Sequence, residues 1–291
     1  MDTHKLLTIK NDYEQFNYLC FVKLLKTIFD FYINASIHVA LSVYALVRIT
    51  ELYFGLPYNE VLDYFIFYGT ITGYNFVKYA GIAKLHHRSL TKNLRVIQIF
   101  SLCCFLLMGF YMFKLSLEII LYFTPLALLT TFYAVPIFSG LTKNIRNTAS
   151  LKIFIIALVW AGVTAFMPVI LKRGFDLKVG LYIIQRVLFV IALTLPFDIR
   201  DLRYDKKYLQ TIPQLIGVER TKKLGFIILL ITLVIEFFIT INQSSKLIYL
   251  IVFMVLLFLI QRSTTKQTKY YASFWVEAIP FFWWLLLVIS I

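Results

Sequence analysis

Three aspartates at the end of one hydrophobic stretch carry the clearest chemical signal in the chain. Asp198, Asp201 and Asp205 stand at positions i, i+3 and i+7, so a helix would place them on one stripe. Like charges on one stripe repel one another, and a divalent cation bound among them would remove that repulsion. Mg²⁺ is commonly held by a few carboxylate oxygens together with the phosphate oxygens of a substrate. The spacing therefore predicts that these three residues bind Mg²⁺.

Basic residues interleave with the aspartates. Arg200, Arg203, Lys206 and Lys207 lie between or directly after them. Their charges suit a polyanionic ligand, because guanidinium and ammonium groups bind phosphate, and we expect Arg200 to contribute to substrate binding. The alternative is a solvated helix face on which these residues form i, i+4 ion pairs and bind nothing.

The composition indicates what kind of element positions these residues. Of the 291 residues, 60% are hydrophobic and 15% are charged, whereas soluble domains are ~45–50% apolar and ~25% charged. The net charge of +14 is explained by basic residues that face anionic lipid on the cytoplasmic side, so we expect contact with membrane lipids and no nucleic-acid partner. The chain is predicted to be an all-α integral membrane protein.

Nine apolar runs are each long enough to cross a bilayer, which takes ~20 residues. We expect residues 1–25 to be a short cytoplasmic lead-in and residues 26–291 to form one nine-helix transmembrane domain. The predicted spans are about 26–48, 58–79, 94–113, 115–136, 151–171, 178–198, 222–241, 245–262 and 271–291.

The distribution of Lys and Arg orients these spans. With the N-terminus in the cytoplasm, 22 of the 29 basic residues fall on the cytoplasmic side and six on the opposite side. The positive-inside rule therefore predicts the N-terminus inside and the C-terminus outside, in a bacterial-type cytoplasmic (inner) membrane or a similar compartment. The aspartates then lie at the cytoplasmic membrane edge.

Two stretches resemble the UbiA superfamily of intramembrane prenyltransferases. DIRDLRYD followed by TIPQLIG, at 198–205 and 211–217, resembles the second aspartate-rich motif of that family. Residues 131–168 resemble its fourth-to-fifth helix region, with a Tyr-x-x-Pro loop, basic residues and a Trp-containing helix. The resemblance implies a nine-helix bundle around a central cavity, with the N-terminus inside.

The resemblance also implies a function. UbiA-like enzymes use Mg²⁺ to transfer a prenyl group from a prenyl diphosphate to an aromatic or other lipid-pathway acceptor. By this resemblance, the three aspartates would be the catalytic residues, and cyclisation of the prenyl diphosphate would be an enzymatic variant. Substrate-binding residues expected at the cytoplasmic mouth are Tyr133, Lys143, Arg146 and Lys152.

The first aspartate-rich motif of the family is degenerate. It should fall in GTITGYNFVKYAGIAKLHH, where Asn75 matches the leading Asn and no carboxylate lies between Asp63 and Glu118. One interpretation is that Lys78, with or without Lys84, contacts the diphosphate directly, so that a fixed cation replaces a metal ion. Asn75 lies three residues before Lys78 on the same helix face and would bind the substrate with it. In the other, catalysis is lost, Lys78 snorkels at a helix end, and the protein binds prenyl lipid or acts as a scaffold.

Ionisable residues within the spans should face the bundle interior. Arg186 lies on the same predicted span as Asp198 but ~18 Å away along it, at 1.5 Å per residue, so it cannot belong to the metal site. We expect Arg186 to form a structural ion pair with Glu236 or Glu277, and the less favoured alternative is that it binds the acceptor. A transporter is disfavoured because the charged cluster lies at the membrane edge rather than at the bilayer midplane.

Overall fold

A computed structural model describes residues 20–85, 92–134, 149–203, 211–240 and 242–290. Every regular element in these ranges is a helix. The α-helices are α1 (20–34), α2 (Ile37–Phe54), α3 (Glu60–Leu85), α4 (Lys92–Met112), α5 (Leu117–Ala134), α6 (Ala149–Ala161), α7 (Met167–Arg173), α8 (Leu177–Asp201), α9 (Ile212–Ile216), α10 (Val218–Ile239), α11 (Gln243–Arg262) and α12 (Ile279–Ser290). Two π-helical turns extend these helices into longer rods: Gly162–Phe166 joins α6 to α7, and Tyr271–Val276 precedes α12.

Six helical rods of the described chain are long and apolar enough to cross a membrane. They are α2, α4, α6 with α7, α8, α11, and α12 with its π turn, and they match six of the nine predicted spans. The other three predicted spans fall on α3, α5 and α10. Gly, Thr, Asn and Lys dilute the apolar character of α3, charged residues open α10, and the apolar part of α5 is shorter, at Leu117–Thr131. The count of nine spans is therefore not confirmed.

The core of the bundle forms around α8. This helix packs against α6 and α10 and contributes Phe189, Leu195 and neighbouring apolar residues to a cluster that includes Trp283. Its start is fixed by Asp176, whose side chain accepts a hydrogen bond from the Val179 N–H at 2.7 Å. In contrast, α4 packs mainly on α3 and leaves most of its apolar surface exposed, as expected of a helix that faces lipid.

The first rod of the bundle is broken between α1 and α2. Ser36 at the break has φ +62° and is fully buried, a left-handed conformation that is uncommon for residues other than glycine. The π turn ahead of α12 lies beside this break, since His38 Nε2 is 3.0 Å from the Phe274 carbonyl oxygen and Ser42 donates to the Glu277 carbonyl. Two irregular backbone segments, far apart in sequence, thus meet inside the bundle.

Arg186 does not pair as the sequence predicted. Its guanidinium is buried, donates to Thr50 and Tyr182, and lies over the rings of Tyr182 and Trp283. Among the residues that the structure describes, no carboxylate forms a direct ion pair with it. A guanidinium carries five N–H donors and can therefore bond to several neutral acceptors at once. Around Arg186, two hydroxyls and two aromatic rings stand in place of the expected carboxylate.

Candidate functional site

Two of the three predicted metal ligands lie on the last turn of α8. Asp198 is 2% exposed, and its Oδ1 is 3.8 Å from Nζ of Lys152 on α6. Asp201 accepts two hydrogen bonds from Arg200, from Nε at 2.7 Å and from Nη2 at 3.1 Å. The structure therefore brings Lys152, one of the predicted substrate-binding residues, to the carboxylate of Asp198.

The structure describes only part of the predicted Mg²⁺ site. Asp205 lies outside the described residues, and within the described ranges no three His, Cys, Asp or Glu side chains are grouped so that they could hold a metal ion. The chemistry of Asp198 and Asp201 nevertheless fits Mg²⁺, which needs few protein oxygens when phosphate oxygens complete its octahedron. The three-aspartate site stays a prediction.

The TIPQLIG stretch, residues 211–217, forms the short helix α9. The helix begins after Thr211, whose backbone N–H donates to the Gln214 side chain at 3.2 Å, and it ends at Gly217 with φ +83°. That left-handed conformation favours glycine. Because α9 packs against both α8 and α10, it holds the chain close to the aspartate end of α8.

Asn75 and Lys78 meet the break between α1 and α2. Asn75 is 2% exposed; its Oδ1 accepts a hydrogen bond from Ser36 Oγ at 2.9 Å, and its Nδ2 donates to the Ala35 carbonyl at 3.1 Å. Nζ of Lys78 donates to Ser36 Oγ at 3.2 Å and to the Asn34 carbonyl at 3.5 Å. The side chain of Asn75 is thus engaged in holding α3 against the broken helix.

Lys78 faces charged groups from two other helices. It interacts electrostatically with Glu277, which follows the π turn of the last rod, and with Arg200 on α8. The side chain of Lys78 keeps an exposed surface, although partners on other helices lie around it.

Six described residues of this end carry ionisable side chains that interact with at least one other member of the set. Three are cationic and three are anionic, and Arg203, two residues after the end of α8, adds a further cation. The six groups, called the charged cluster below, are Lys78, Lys152, Arg200, Asp198, Asp201 and Glu277.

The structure leaves several predicted site residues undescribed, and it adds one. Tyr133 lies in α5, but its side chain is not described, and Lys143 and Arg146 lie outside the described residues. Glu277 was expected only as a possible partner of Arg186. Its signal in the sequence was a lone glutamate within an apolar span, which favours a site in the bundle interior but does not say which one.

Comparisons with known proteins bear on the fold. No protein-family model and no curated protein matches the chain. The chain is similar to a solved structure of a membrane protein, a digeranylgeranylglyceryl phosphate synthase. The match covers 91% of this chain and 100% of the other, with a TM-score of 0.56 and 13% sequence identity. The two chains share a fold. The helical membrane-protein architecture predicted from the sequence is supported at that level.

Proposed function

We propose that this protein transfers a prenyl group from a prenyl diphosphate to an acceptor within a membrane. The observation that carries this proposal is the charged cluster at one end of an apolar helical bundle whose fold is shared with a UbiA-type synthase. A prenyl diphosphate has the matching chemistry, because its isoprenoid tail dissolves in the apolar bundle while its diphosphate needs the polar end.

Lys78, Lys152 and Arg200 are the described groups that would bind the diphosphate. They come from α3, α6 and α8, so a ligand that contacts all three would be held from three directions. Mg²⁺, bound by Asp198 and Asp201 with Asp205, would supply positive charge that stabilises the leaving diphosphate. Exclusion of water from the apolar interior would protect the reactive prenyl group while the acceptor attacks.

The proposal includes the substrate class and the setting of the reaction. The acceptor would be an aromatic or other lipid-pathway molecule, and the protein would lie in a bacterial-type cytoplasmic membrane with the charged cluster on the cytoplasmic side. This side follows from the distribution of Lys and Arg, since the loop after α8 is rich in both.

A second candidate is a prenyl-lipid binding protein without catalysis. It is favoured by one observation on α3, where the UbiA-like motif would place aspartates. This helix instead carries Lys78 and Asn75, and the Asn75 side chain is already hydrogen-bonded to Ser36 and Ala35. A site with a single metal ion would ionise a diphosphate less readily than a site with two.

The test is to incubate the purified protein in detergent with radiolabelled prenyl diphosphates of several lengths, with and without Mg²⁺. Release of diphosphate that requires Mg²⁺ and an added acceptor supports the transferase. Release that needs no acceptor indicates cyclisation or hydrolysis. Tight binding without release under every condition supports the second candidate.

A further inference from the structure

A cavity of about 490 Å³ opens where α11 ends and the last rod begins. Its walls come from the last turn of α11, from the connecting loop at 263–268 and from the first residue of the π turn. This volume is within the range that ligand sites in proteins occupy, about 300–1,000 Å³. The residues whose polar groups line it include Arg262, Thr264, Lys266, Gln267, Thr268 and Tyr271.

The described lining of this cavity is cationic. Arg262 and Lys266 contribute two positive charges, and no Asp or Glu is among the described residues that line it. Within the described ranges neither cation forms an ion pair. The carboxylate of Asp30 on α1 also reaches this part of the chain, but it pairs with Lys269 and Tyr270, which lie outside the lining. The lining therefore attracts an anion.

The cavity also offers uncharged hydrogen-bond donors. The side chains of Thr264 and Thr268 line it, and in the part of the chain that the structure describes neither hydroxyl bonds to another residue. A guanidinium, an ammonium and hydroxyls around one space are the groups that bind phosphate oxygens in proteins. The combination therefore fits a phosphate group better than a simple halide or carboxylate.

The loop that forms the cavity is held in place by hydrogen bonds. Oε1 of Gln267 accepts from the Thr264 N–H at 3.2 Å, and its Nε2 donates to the Pro196 carbonyl on α8 at 3.0 Å. The Tyr271 hydroxyl donates to the Leu259 carbonyl on α11 at 2.8 Å. Because the loop is already ordered, binding costs little further conformational entropy. The bond to Pro196 also places the cavity at the same end of α8 as the charged cluster.

Exposed apolar side chains lead directly to the cavity. Met254 and Phe258 are exposed and precede Arg262 at intervals of four residues on α11, so the three share one helix face. Trp275 is exposed and lies one turn after Tyr271 in the last rod. Both rods are long and apolar enough to cross a membrane, so these side chains contact acyl chains. Trp is common at the membrane–water interface, where headgroups lie.

We propose that this cavity binds the phosphate headgroup of an anionic phospholipid, with Arg262 and Lys266 as the cations that select it. Basic pockets between transmembrane helices are known sites for lipid headgroups. A lipid is favoured over a soluble phosphate because the exposed apolar stripe continues from the cavity along the bundle. The site differs from the general attraction between basic residues and anionic lipid, since it is a preformed cavity that one lipid fills. It does not depend on prenyl transfer.

Quenching of tryptophan fluorescence measures the occupancy of this site. The full chain is reconstituted in vesicles of phosphatidylcholine with brominated acyl chains, which quench Trp275, and unbrominated phosphatidylglycerol is added in steps. Preferential binding of the anionic lipid displaces the quencher, so fluorescence recovers at a lower mole fraction than random mixing would give. Since a basic residue near the membrane surface contributes about fivefold in affinity, we expect a preference for phosphatidylglycerol of about ten- to thirtyfold.

Matched variants make the result specific to the cavity. Arg262→Gln combined with Lys266→Gln should remove most of the preference, and Lys266→Gln alone, at an exposed loop position, should lower it about fivefold. Arg220→Gln combined with Lys223→Gln removes the same charge from exposed positions at the start of α10 and should leave the preference unchanged. Trp275→Phe should abolish the recovery of fluorescence, and thermal unfolding of each variant establishes that it is folded.

Three results would overturn the proposal. Equal affinity of the wild type for the two lipids would show that the cavity selects no headgroup. Equal loss of preference in the two paired variants would show that diffuse charge attracts the lipid. Inorganic phosphate, added in place of chloride at constant ionic strength, should not compete, and if it abolishes the preference the cavity binds free phosphate instead. None of these measurements involves a prenyl diphosphate, so the proposed function stands or fails separately.

Discussion

The Ser36 hydroxyl donates a hydrogen bond to Oδ1 of Asn75 at 2.9 Å and accepts one from Nζ of Lys78 at 3.2 Å. One buried hydroxyl in a left-handed backbone conformation therefore joins the two α3 residues that the sequence marked as substrate-binding. Asn75 also donates to the Ala35 carbonyl. The break between α1 and α2 and the position of the Lys78 ammonium consequently depend on each other.

Asn75→Ala should destabilise the fold. The substitution removes the acceptor of the Ser36 hydroxyl and the side-chain donor to the Ala35 carbonyl, although Ser36 Oγ still accepts from Lys78. A buried polar group that loses its partner costs about 1–3 kcal/mol. Thermal unfolding in detergent should show a lower midpoint than the wild type. Thr70→Ala is a control on the same helix, since Thr70 bonds only to the Ile66 carbonyl one turn earlier. An unchanged midpoint together with lost diphosphate binding would show instead that Asn75 acts on the ligand.

Glu236 should contribute strongly to stability through its hydrogen bonds. Its carboxylate accepts hydrogen bonds from Tyr53 at 2.8 Å, Gln185 at 2.7 Å and Thr240 at 2.6 Å, which connect α2, α8 and α10. Glu236→Ala removes the acceptor of three donors, the half-buried Tyr53 hydroxyl and the buried Thr240 and Gln185 side chains, of which Gln185 keeps the Thr232 carbonyl. We therefore expect a loss of about 3 kcal/mol in the free energy of unfolding.

Denaturant or thermal unfolding measures that loss, with Glu236→Gln as the conservative comparison. Gln keeps one carbonyl oxygen and should recover part of the stability. Equal effects of the two substitutions would indicate that the charge of Glu236, and not its hydrogen bonds, holds the helices together.

Apolar run length predicted the helical elements well, because it is a local property of the sequence. All nine predicted runs fall largely on described helices, including α3 and α10, whose polar and charged residues lower their hydropathy. The break at Ser36 was not predicted, since no glycine or proline marks it. It depends on Asn75, 39 residues later, for its hydrogen bond, and a local pattern contains no such information.

Contacts between charged residues of different helices could not be predicted from local patterns either. Spacing within α8 correctly placed Asp198 and Asp201 on the last turn of one helix. Spacing could not show that the Lys78 ammonium contacts Ser36 and the Asn34 carbonyl, because that contact depends on the rotation of α3 and on the left-handed backbone at Ser36. For the same reason Arg186 was assigned to a carboxylate although hydroxyls and rings surround it.

The orientation of the bundle can be tested with reporters. A reporter fused after Ile291 should lie outside the cytoplasm, and one inserted near Lys206 should lie inside, because most Lys and Arg residues fall on the side of Lys206. Paired alkaline phosphatase and fluorescent protein fusions measure the two locations. A cytoplasmic C-terminus would mean that the number of spans is even, which contradicts the nine-span prediction.

Asp198→Asn should abolish Mg²⁺-dependent binding of prenyl diphosphate. Asp198 is the more buried of the two described aspartates, and Nζ of Lys152 lies 3.8 Å from its Oδ1. Asp201→Asn is the matched comparison and should have a smaller effect, since Asp201 is already bound bidentately by Arg200. Equilibrium binding with and without chelator measures both. If Asp198→Asn binds as the wild type does, the aspartates form a solvated face and the transferase proposal loses its main support.

Each bound diphosphate should be accompanied by a single metal ion. The aspartate end of α8 offers hard oxygen ligands, whereas the α3 half offers Lys78, whose charge repels a cation placed beside it. We therefore expect one Mg²⁺, held mainly by Asp198 and Asp205 with phosphate completing its coordination. Lys78→Ala should weaken diphosphate binding without changing the number of metal ions, because the lysine acts on the phosphate directly. Anomalous scattering from Mn²⁺-soaked crystals counts the ions, and two Mn²⁺ per diphosphate would show that a second metal ion takes the place assigned to Lys78.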